Sequence, residues 1–342
     1  MNKTLHIYIN NAVESAGLAR LRSMPQAHLT LNDDNDEPEH WLLPEEHLAS
    51  TEILLTTYMP ANVSQARALK LMQISSVGYE HLDGDKLVDQ GVRVCNAAGV
   101  FDIPIAEWNI AMMFALVRDL RGMIRHQEQG IWDRHERFQR ELYGLTVGFW
   151  GYGGLARATA RLCKTMDMKV HALVRDTAMK PREHIYCVAG HGDPEGRLPD
   201  RVFAMQQKAE FLSGLDFLII AVPLTTGTRG MVREDDLRLL PRKAYVLNPC
   251  RGPIIEEQAL LSVLRDGGIA GAAMDAHYYY PMPADHPFWR FPHVIMTPHI
   301  SGSNHSPYFR PRLWEIFVEN VQRYISNKPL LNELSQRQLR GD

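Results

Sequence analysis

At 342 residues the chain is long for one domain and comfortable for two, and 45% hydrophobic with 23% charged residues is the balance of an ordinary globular protein. A formal net charge of −3 gives no electrostatic ground for a nucleic acid or an anionic membrane as partner. Cys95, Cys163, Cys187 and Cys250 are scattered without a C-x-x-C pair, so they read as free thiols in a reducing compartment and not as a disulfide or zinc framework. The opening MNKTLHIYINN has no apolar leader core, and no run approaches about 20 apolar residues. The expectation is a cytoplasmic protein with no membrane span and no metal.

Leu5 to Asn10 reads as a strand and Val13 to Leu21 as a helix. Asn32 to Glu46 is acidic and punctuated by proline, the composition of a solvated loop. Ile53 to Thr57 is an apolar strand, Val63 to Leu71 reads as a helix, and Met72 to Ser76 is a strand again. Alternation of this kind means a parallel α/β layer. Gly78, in the segment Ser75 to Asp83 after that strand, can present backbone N–H groups to an anion. Gly91 to Cys95 is one more strand. Pro104 stands in the first turn of a long helix to about Arg121, where proline is tolerated. Ile105, Met112, Met113, Ala115 and Leu116 make it apolar over much of its circumference, so something large must cover it, a domain junction or a second subunit.

Leu145 to Asp176 carries the strongest signal: an apolar strand to Trp150, the turn Gly151-Tyr152-Gly153-Gly154, a helix patterned by Leu155, Thr159, Leu162 and Met166, and a second strand, Val170 to Val174. That is the βαβ setting of a dinucleotide-binding turn. Gly151 permits the sharp reversal, Gly153 lets backbone approach a pyrophosphate, and Ala156 fills the third, close-packed position. Arg175, directly after the second strand, suits the 2′-phosphate of NADP(H). Asp176 suits the ribose of NAD(H) if the strand runs two residues longer.

Arg175 to Phe211 is a long connection; His184, His191 and Asp193 within it match no standard metal spacing and read as solvated loop residues. Four apolar strands follow, Phe217 to Val222, Ala244 to Leu247, Gly271 to Met274 and Val294 to Met296. They end at Pro223, at Asn248-Pro249-Cys250-Arg251-Gly252, at Asp275, and at Thr297-Pro298-His299. Carboxyl ends of parallel strands border the ligand crevice, so Arg251, Asp275 and His299 converge if their strands are neighbours. A guanidinium there clamps a carboxylate through two parallel bonds, and an imidazole exchanges a proton with a carbinol or carbonyl oxygen.

The segments SSVGYEHLD, IPIAEWNIAMMFALVRDL, LYGLTVGFWGYGGLARATARL, AVPLTTGTRGMV, LNPCRGPIIEEQALLSVLRDGGIAGAAMDA and DHPFWRFPHVIMTPHISG, in this order, resemble the D-isomer-specific 2-hydroxyacid dehydrogenases, with some formate-dehydrogenase-like stretches. The resemblance implies an α/β fold of two Rossmann- or flavodoxin-like parallel-sheet domains. Residues 1–103 plus 303–342 would form the substrate domain, with an NAD(P)-binding domain, 104–302, inserted between them, and a homodimer joined through helix 104–121. It also implies roles. Arg251 binds the substrate carboxylate, helped by the backbone N–H groups of Val77 and Gly78, and His299 is the acid/base. Gly151, Gly153, Gly154, Leu155 and Ala156 hold the pyrophosphate, Pro223 and Thr228 the adenosine side. Asn248 and Cys250 flank the nicotinamide, and Asp275 bonds its carboxamide.

One position departs from the family. Where its members carry a Glu to support the His, or Gln in formate dehydrogenases, this chain has Tyr280. The formate-binding Asn of that subgroup falls at Phe101. The expected function is therefore NAD(P)-dependent reduction of a small 2-keto acid of the glyoxylate or hydroxypyruvate type. Its rivals are formate oxidation and a non-catalytic NAD(P) sensor or corepressor on the same fold.

Overall fold

The structure, a computed structural model, describes residues 4–32 and 39–341. Two compact units are present: Met1–Phe101 with Glu183–Val188 and Asn304–Asp342, and Asp102–Arg182 with Ala189–Ser303.

The first unit is built on β1 (Leu5–Asn10), β2 (Ala27–Leu31), β3 (Ile53–Thr56), β4 (Leu71–Ile74) and β5 (Arg93–Cys95). They form one parallel sheet in the order β2-β1-β3-β4-β5, the flavodoxin-like order. Alternate residues serve two cores. Ile7, Ile9, Ile53 and Leu55 pack against Trp314, Phe317 and Val321 of the Phe309–Ile325 helix. Tyr8, Leu54, Met72 and Val94 pack against Leu43, Val63 and Leu87 on the other face. A parallel sheet covered on both faces requires such unbroken apolar strands.

Three readings of this region are corrected. Val63 to Leu71 is not a helix but a single turn, Val63–Gln65, because Leu71 is already paired in the sheet. The Gln90 amide donates to the Val63 and Ala66 carbonyl oxygens, giving the turn an end without helical continuation. Of the acidic stretch, residues 33–38 lie outside the described residues. Beyond it Trp41 and Leu43 are buried and Glu45–Leu48 is helical, so this part is not solvated loop throughout. The first helix spans Ser15–Arg22, its start set by the Glu14 carboxylate accepting from the Ala16 and Gly17 N–H groups.

The second unit carries β6 (Thr146–Trp150), β7 (Lys169–Val174), β8 (Arg201–Ala204), β9 (Phe217–Ile220), β10 (Tyr245–Asn248), β11 (Gly271–Met274) and β12 (Val294–Met296). All seven are parallel, in the order β12-β11-β10-β9-β6-β7-β8. The order in which strands are added reverses between β6 and β9, the topological switch point where doubly wound sheets take their ligands. Again alternate residues divide: Trp150, Leu218, Ile220 and Val246 face one core, Val147, Phe149, Ile219 and Leu247 the other.

The long connection after β7 is more structured than its composition suggested. It contains edge strand β8 and the Lys208–Ser213 helix, and Asp193 is buried, not solvated. No metal-binding cluster occurs among the described residues, and none of their helices is long and apolar enough to cross a membrane. The helix expected to run from Pro104 to about Arg121 is two helices, Asp102–Val117 and Leu120–Glu128. Asp119, at φ 44°, breaks them apart and caps the second by accepting from the Gly122 N–H.

Candidate active site

In the second unit β10, β11 and β12 are adjacent, so the turns following them meet at one end of the sheet. The turn after β10 is held by Asn248, fully buried, whose amide donates to the Arg251 carbonyl oxygen (2.9 Å) and whose Oδ1 accepts from the Cys250 N–H (3.1 Å). The Arg251 guanidinium donates through Nη1 to the Cys250 carbonyl oxygen at 2.8 Å. Gly252 must lack a side chain, because a Cβ there would stand 2.5 Å from the His277 carbonyl carbon. The turns after β10 and β11 therefore touch one residue from Arg251.

Asp275 closes β11 fully buried. Its Oδ1 accepts from the Thr297 hydroxyl (2.6 Å) and the Ile300 N–H (2.9 Å), and its Oδ2 accepts from the Ser301 N–H (3.0 Å). Trp108, from the Asp102–Val117 helix, donates to the same Thr297 oxygen at 3.0 Å. The Asp275 carboxylate is thus committed first to shaping the loop that carries His299. His299 itself is exposed and sits at φ 56°, a left-handed conformation that a non-glycine residue adopts at a cost. The surrounding bonds hold it there.

Tyr280 faces His299. Its hydroxyl oxygen lies 3.1 Å from His299 Nδ1 and accepts the His277 backbone N–H, also at 3.1 Å. His277 is buried, and its Nε2 donates to the Thr297 carbonyl oxygen at 2.8 Å, stitching the Tyr280 turn to the His299 loop. Trp108, His277 and Thr297 are positioning residues that sequence reasoning missed. The HYYY run and the TPH triplet each look like turns, and only sheet order brings them together.

The glycine turn after β6 is a sharp reversal with open backbone. Gly151 has φ 91°, and a Cβ there would press on the Ala221 carbonyl oxygen at 2.5 Å, so glycine is obligatory. Gly153 has nothing within 4 Å of where its Cβ would be, leaving its backbone open at the start of the Gly154–Thr165 helix. Leu155 is half-buried and Ala156 fully buried. β7 ends at Val174, placing the exposed Arg175 next, while Asp176 is occupied locally, accepting from the Ala178 N–H. Thr228 ties the Pro223 loop, accepting from the Thr225 N–H (2.8 Å) and donating to the Pro223 carbonyl oxygen (2.6 Å). Burial pushes the Cys250 thiol up to about 12, so it is no nucleophile at neutral pH. A glycine reversal, an open backbone and a helix N-terminus fit a dinucleotide pyrophosphate. Val77 and Gly78 lie in the first unit after β4, where Asn96 donates to the Val77 carbonyl oxygen and Ser76 to that of Gly78.

Residues 110–301, more than half of the chain, match the NAD binding domain of the D-isomer specific 2-hydroxyacid dehydrogenases. The chain belongs to this family. The dehydrogenase is 28% identical over 323 residues to a glyoxylate reductase of Thermofilum pendens, covering 92% of this chain and 90% of the relative. To a D-3-phosphoglycerate dehydrogenase of Methanocaldococcus jannaschii it is 30% identical over 241 residues, 70% of this chain and 43% of that one. Among solved structures, a D-isomer specific 2-hydroxyacid dehydrogenase from Xanthobacter autotrophicus Py2, in complex with NADPH and MES, superposes with a TM-score of 0.76. It shares 23% identity over 98% of this chain and 99% of that one, a likeness of fold. The dehydrogenase is an oxidoreductase with a nicotinamide cofactor, of the class acting on CH–OH donors.

Tyr280 in place of a carboxylate has a measurable consequence for this family member. A neighbouring carboxylate stabilises an imidazolium, and a neutral phenol does so far less. With His299 as the acid, carbonyl reduction would need the ring protonated, and its rate would fall as pH rises past the point where the ring loses its proton. Tyr280→Glu is expected to move that limb of the pH–rate profile upward by about one unit, and Tyr280→Phe to lower kcat more than it alters KM. Superimposable profiles for the three proteins would show that the 3.1 Å contact has no part in the reaction.

Proposed function

We propose that the dehydrogenase reduces a small 2-keto acid of the glyoxylate or hydroxypyruvate type, with NADP(H) preferred over NAD(H). The observation that carries this reading is the His299–Tyr280 pair placed beside the Gly252–Arg251 turn at the carboxyl ends of β10, β11 and β12. Arg251 holds the substrate carboxylate bidentately and draws charge toward the keto oxygen. His299 gives that oxygen a proton from Nε2, while Tyr280 at Nδ1 keeps the ring oriented. A nicotinamide held at this turn would supply the hydride. Val77 and Gly78 offer backbone N–H groups to the carboxylate. Pro223 and Thr228 shape the adenosine side, Asn248 and Cys250 the nicotinamide side, and Asp275 turns an oxygen to the carboxamide as well as holding the His299 loop.

The preference for NADP(H) rests on Arg175 at the tip of β7, which has no ion-pair partner among the described residues. Purified protein assayed with NADPH and NADH against a panel of 2-keto acids, followed at the nicotinamide absorbance, tests the whole reading. NADPH is expected to bind more tightly, and Arg175→Ala to cost it about 1.5–3 kcal/mol while leaving NADH nearly unchanged. A wild-type preference for NADH would assign the ribose to Asp176 instead. No turnover with any keto acid, with cofactor binding intact, would favour the sensor reading. Formate is disfavoured because Phe101 is apolar and stacks on Phe309, ring centroids 5.2 Å apart.

A homodimer through helix 104–121 and its continuation is part of this proposal. Phe114, Leu120 and Ile124 are exposed along it, and Ile131 and Trp132, the latter 90% exposed, follow its end at Glu128. A monomer by sedimentation at micromolar concentration would overturn it. The four cysteines are free, in keeping with a cytoplasmic location.

A further inference from the structure

The long connection after β7 is built onto the nucleotide turn. Arg157, buried in the helix that starts at Gly154, donates to the carbonyl oxygens of Lys180 (3.1 Å), Asp193 (2.6 Å) and Pro194 (2.9 Å), and through Nε to that of Tyr152. Tyr152, inside the glycine turn, donates its hydroxyl to Asp193 Oδ2 at 2.9 Å. Asp193 also accepts from the Arg197 and Leu198 N–H groups. Breaking any one of these bonds strands a buried polar partner, so the connection is fixed against the turn at Lys180 and at Asp193–Pro194. Arg182 follows Lys180 by two residues.

Its guanidinium reaches the head of the helix. A Cβ on Gly154 would collide with the Asp102 carboxylate and would stand 2.8 Å from Arg182 Nη1. A tethered anion and its counter-cation therefore rest on the glycine turn, at the positive end of a 12-residue helix. Both residues are half-buried.

We infer that Asp102 stands in for the cofactor's pyrophosphate in the free enzyme, and that Arg182 exchanges this carboxylate for the pyrophosphate when the dinucleotide binds. The inference rests on the reading of Gly151 to Ala156 as the nucleotide turn. The long connection then supplies a phosphate-binding guanidinium additional to Arg175. Pyrophosphate and an ionised Asp102 cannot share one helix terminus without repulsion, so Asp102 withdraws or takes up a proton as the ligand enters. Desolvation already pushes its carboxyl up to about 6, against the pull of Arg182. Arg182 is the charged side chain that faces it. The Gly154 helix presents backbone N–H groups, and Asp102's own helix continues with Ile103, Pro104, Ile105 and Ala106, all uncharged. Ligand affinity therefore falls as pH rises through the range in which Asp102 ionises.

The test is calorimetric binding of ADP-ribose, whose pyrophosphate diester does not titrate near neutrality, at pH about 5.5 and about 8. Arg182→Gln is expected to weaken binding roughly tenfold or more at both values, the loss of a charge-assisted contact. Asp102→Asn is expected to bind about five- to tenfold tighter than wild type at the higher pH and equally at the lower, erasing the pH dependence. This isosteric change keeps the test standing if the Arg182 variant folds poorly. Dissociation constants within twofold across the three proteins would overturn the exchange while leaving the nucleotide turn intact. Failure of the wild type to bind ADP-ribose at either pH would overturn the nucleotide-turn reading, and this inference with it.

Discussion

On the proposed mechanism, His299→Asn is expected to lower kcat for keto-acid reduction by about 10²–10⁴-fold while leaving cofactor affinity unchanged, because it would remove the proton carrier and none of the residues assigned to the dinucleotide. Asparagine is the informative replacement. His299 occupies φ 56°, and asparagine is among the few side chains that tolerate that region, so the loop fixed by Asp275 keeps its path. An alanine variant mixes lost chemistry with lost loop geometry. Steady-state kinetics with NADPH binding measured separately decide the matter. A kcat within tenfold of wild type would mean that another group, or solvent, protonates the oxygen.

Arg251→Lys is expected to raise KM for every keto acid by roughly 10–100-fold, the value of one charge-assisted hydrogen bond lost from a two-point contact. The backbone here is extended (φ −149°), and although the substitution removes the guanidinium's bond to the Cys250 carbonyl oxygen, the Asn248 bonds that hold the turn remain. An ammonium can reach the same carboxylate but contacts it as a point charge, so part of the affinity survives. Unchanged KM across the panel would remove Arg251 from the substrate's first contacts.

The second sheet was legible because its strands are short unbroken apolar runs ending in glycine, proline or polar clusters. Phe217 to Ile220 and Tyr245 to Asn248 are buried at every position. β8 escaped the same reading: Arg201 is exposed and only Phe203 of its four residues is fully buried, the signature of an edge strand and nearly that of a loop. The apolar helix from Asp102 was read through its own break, since an aspartate in the left-handed conformation that caps the following helix leaves no mark in the hydrophobic pattern. Arg251, Asp275 and His299 could be picked out because each follows a strand. Trp108, His277 and Thr297 could not, since their contacts span up to 189 positions and depend on which strands become neighbours. Asp193 looked solvated for a related reason: its partner, Tyr152, lies 41 residues upstream inside another motif.

The division of the chain also bears on the order in which it folds during synthesis. The second unit is complete once Ser303 has emerged, whereas the first still lacks the Phe309–Ile325 helix that covers Ile7 and Ile9. β1 and β3 therefore wait, with one apolar face open, until the Phe309–Ile325 helix has left the ribosome. During that interval the exposed sheet is the natural client of a chaperone, and a nascent chain arrested near residue 303 should show protease resistance in its second unit before its first.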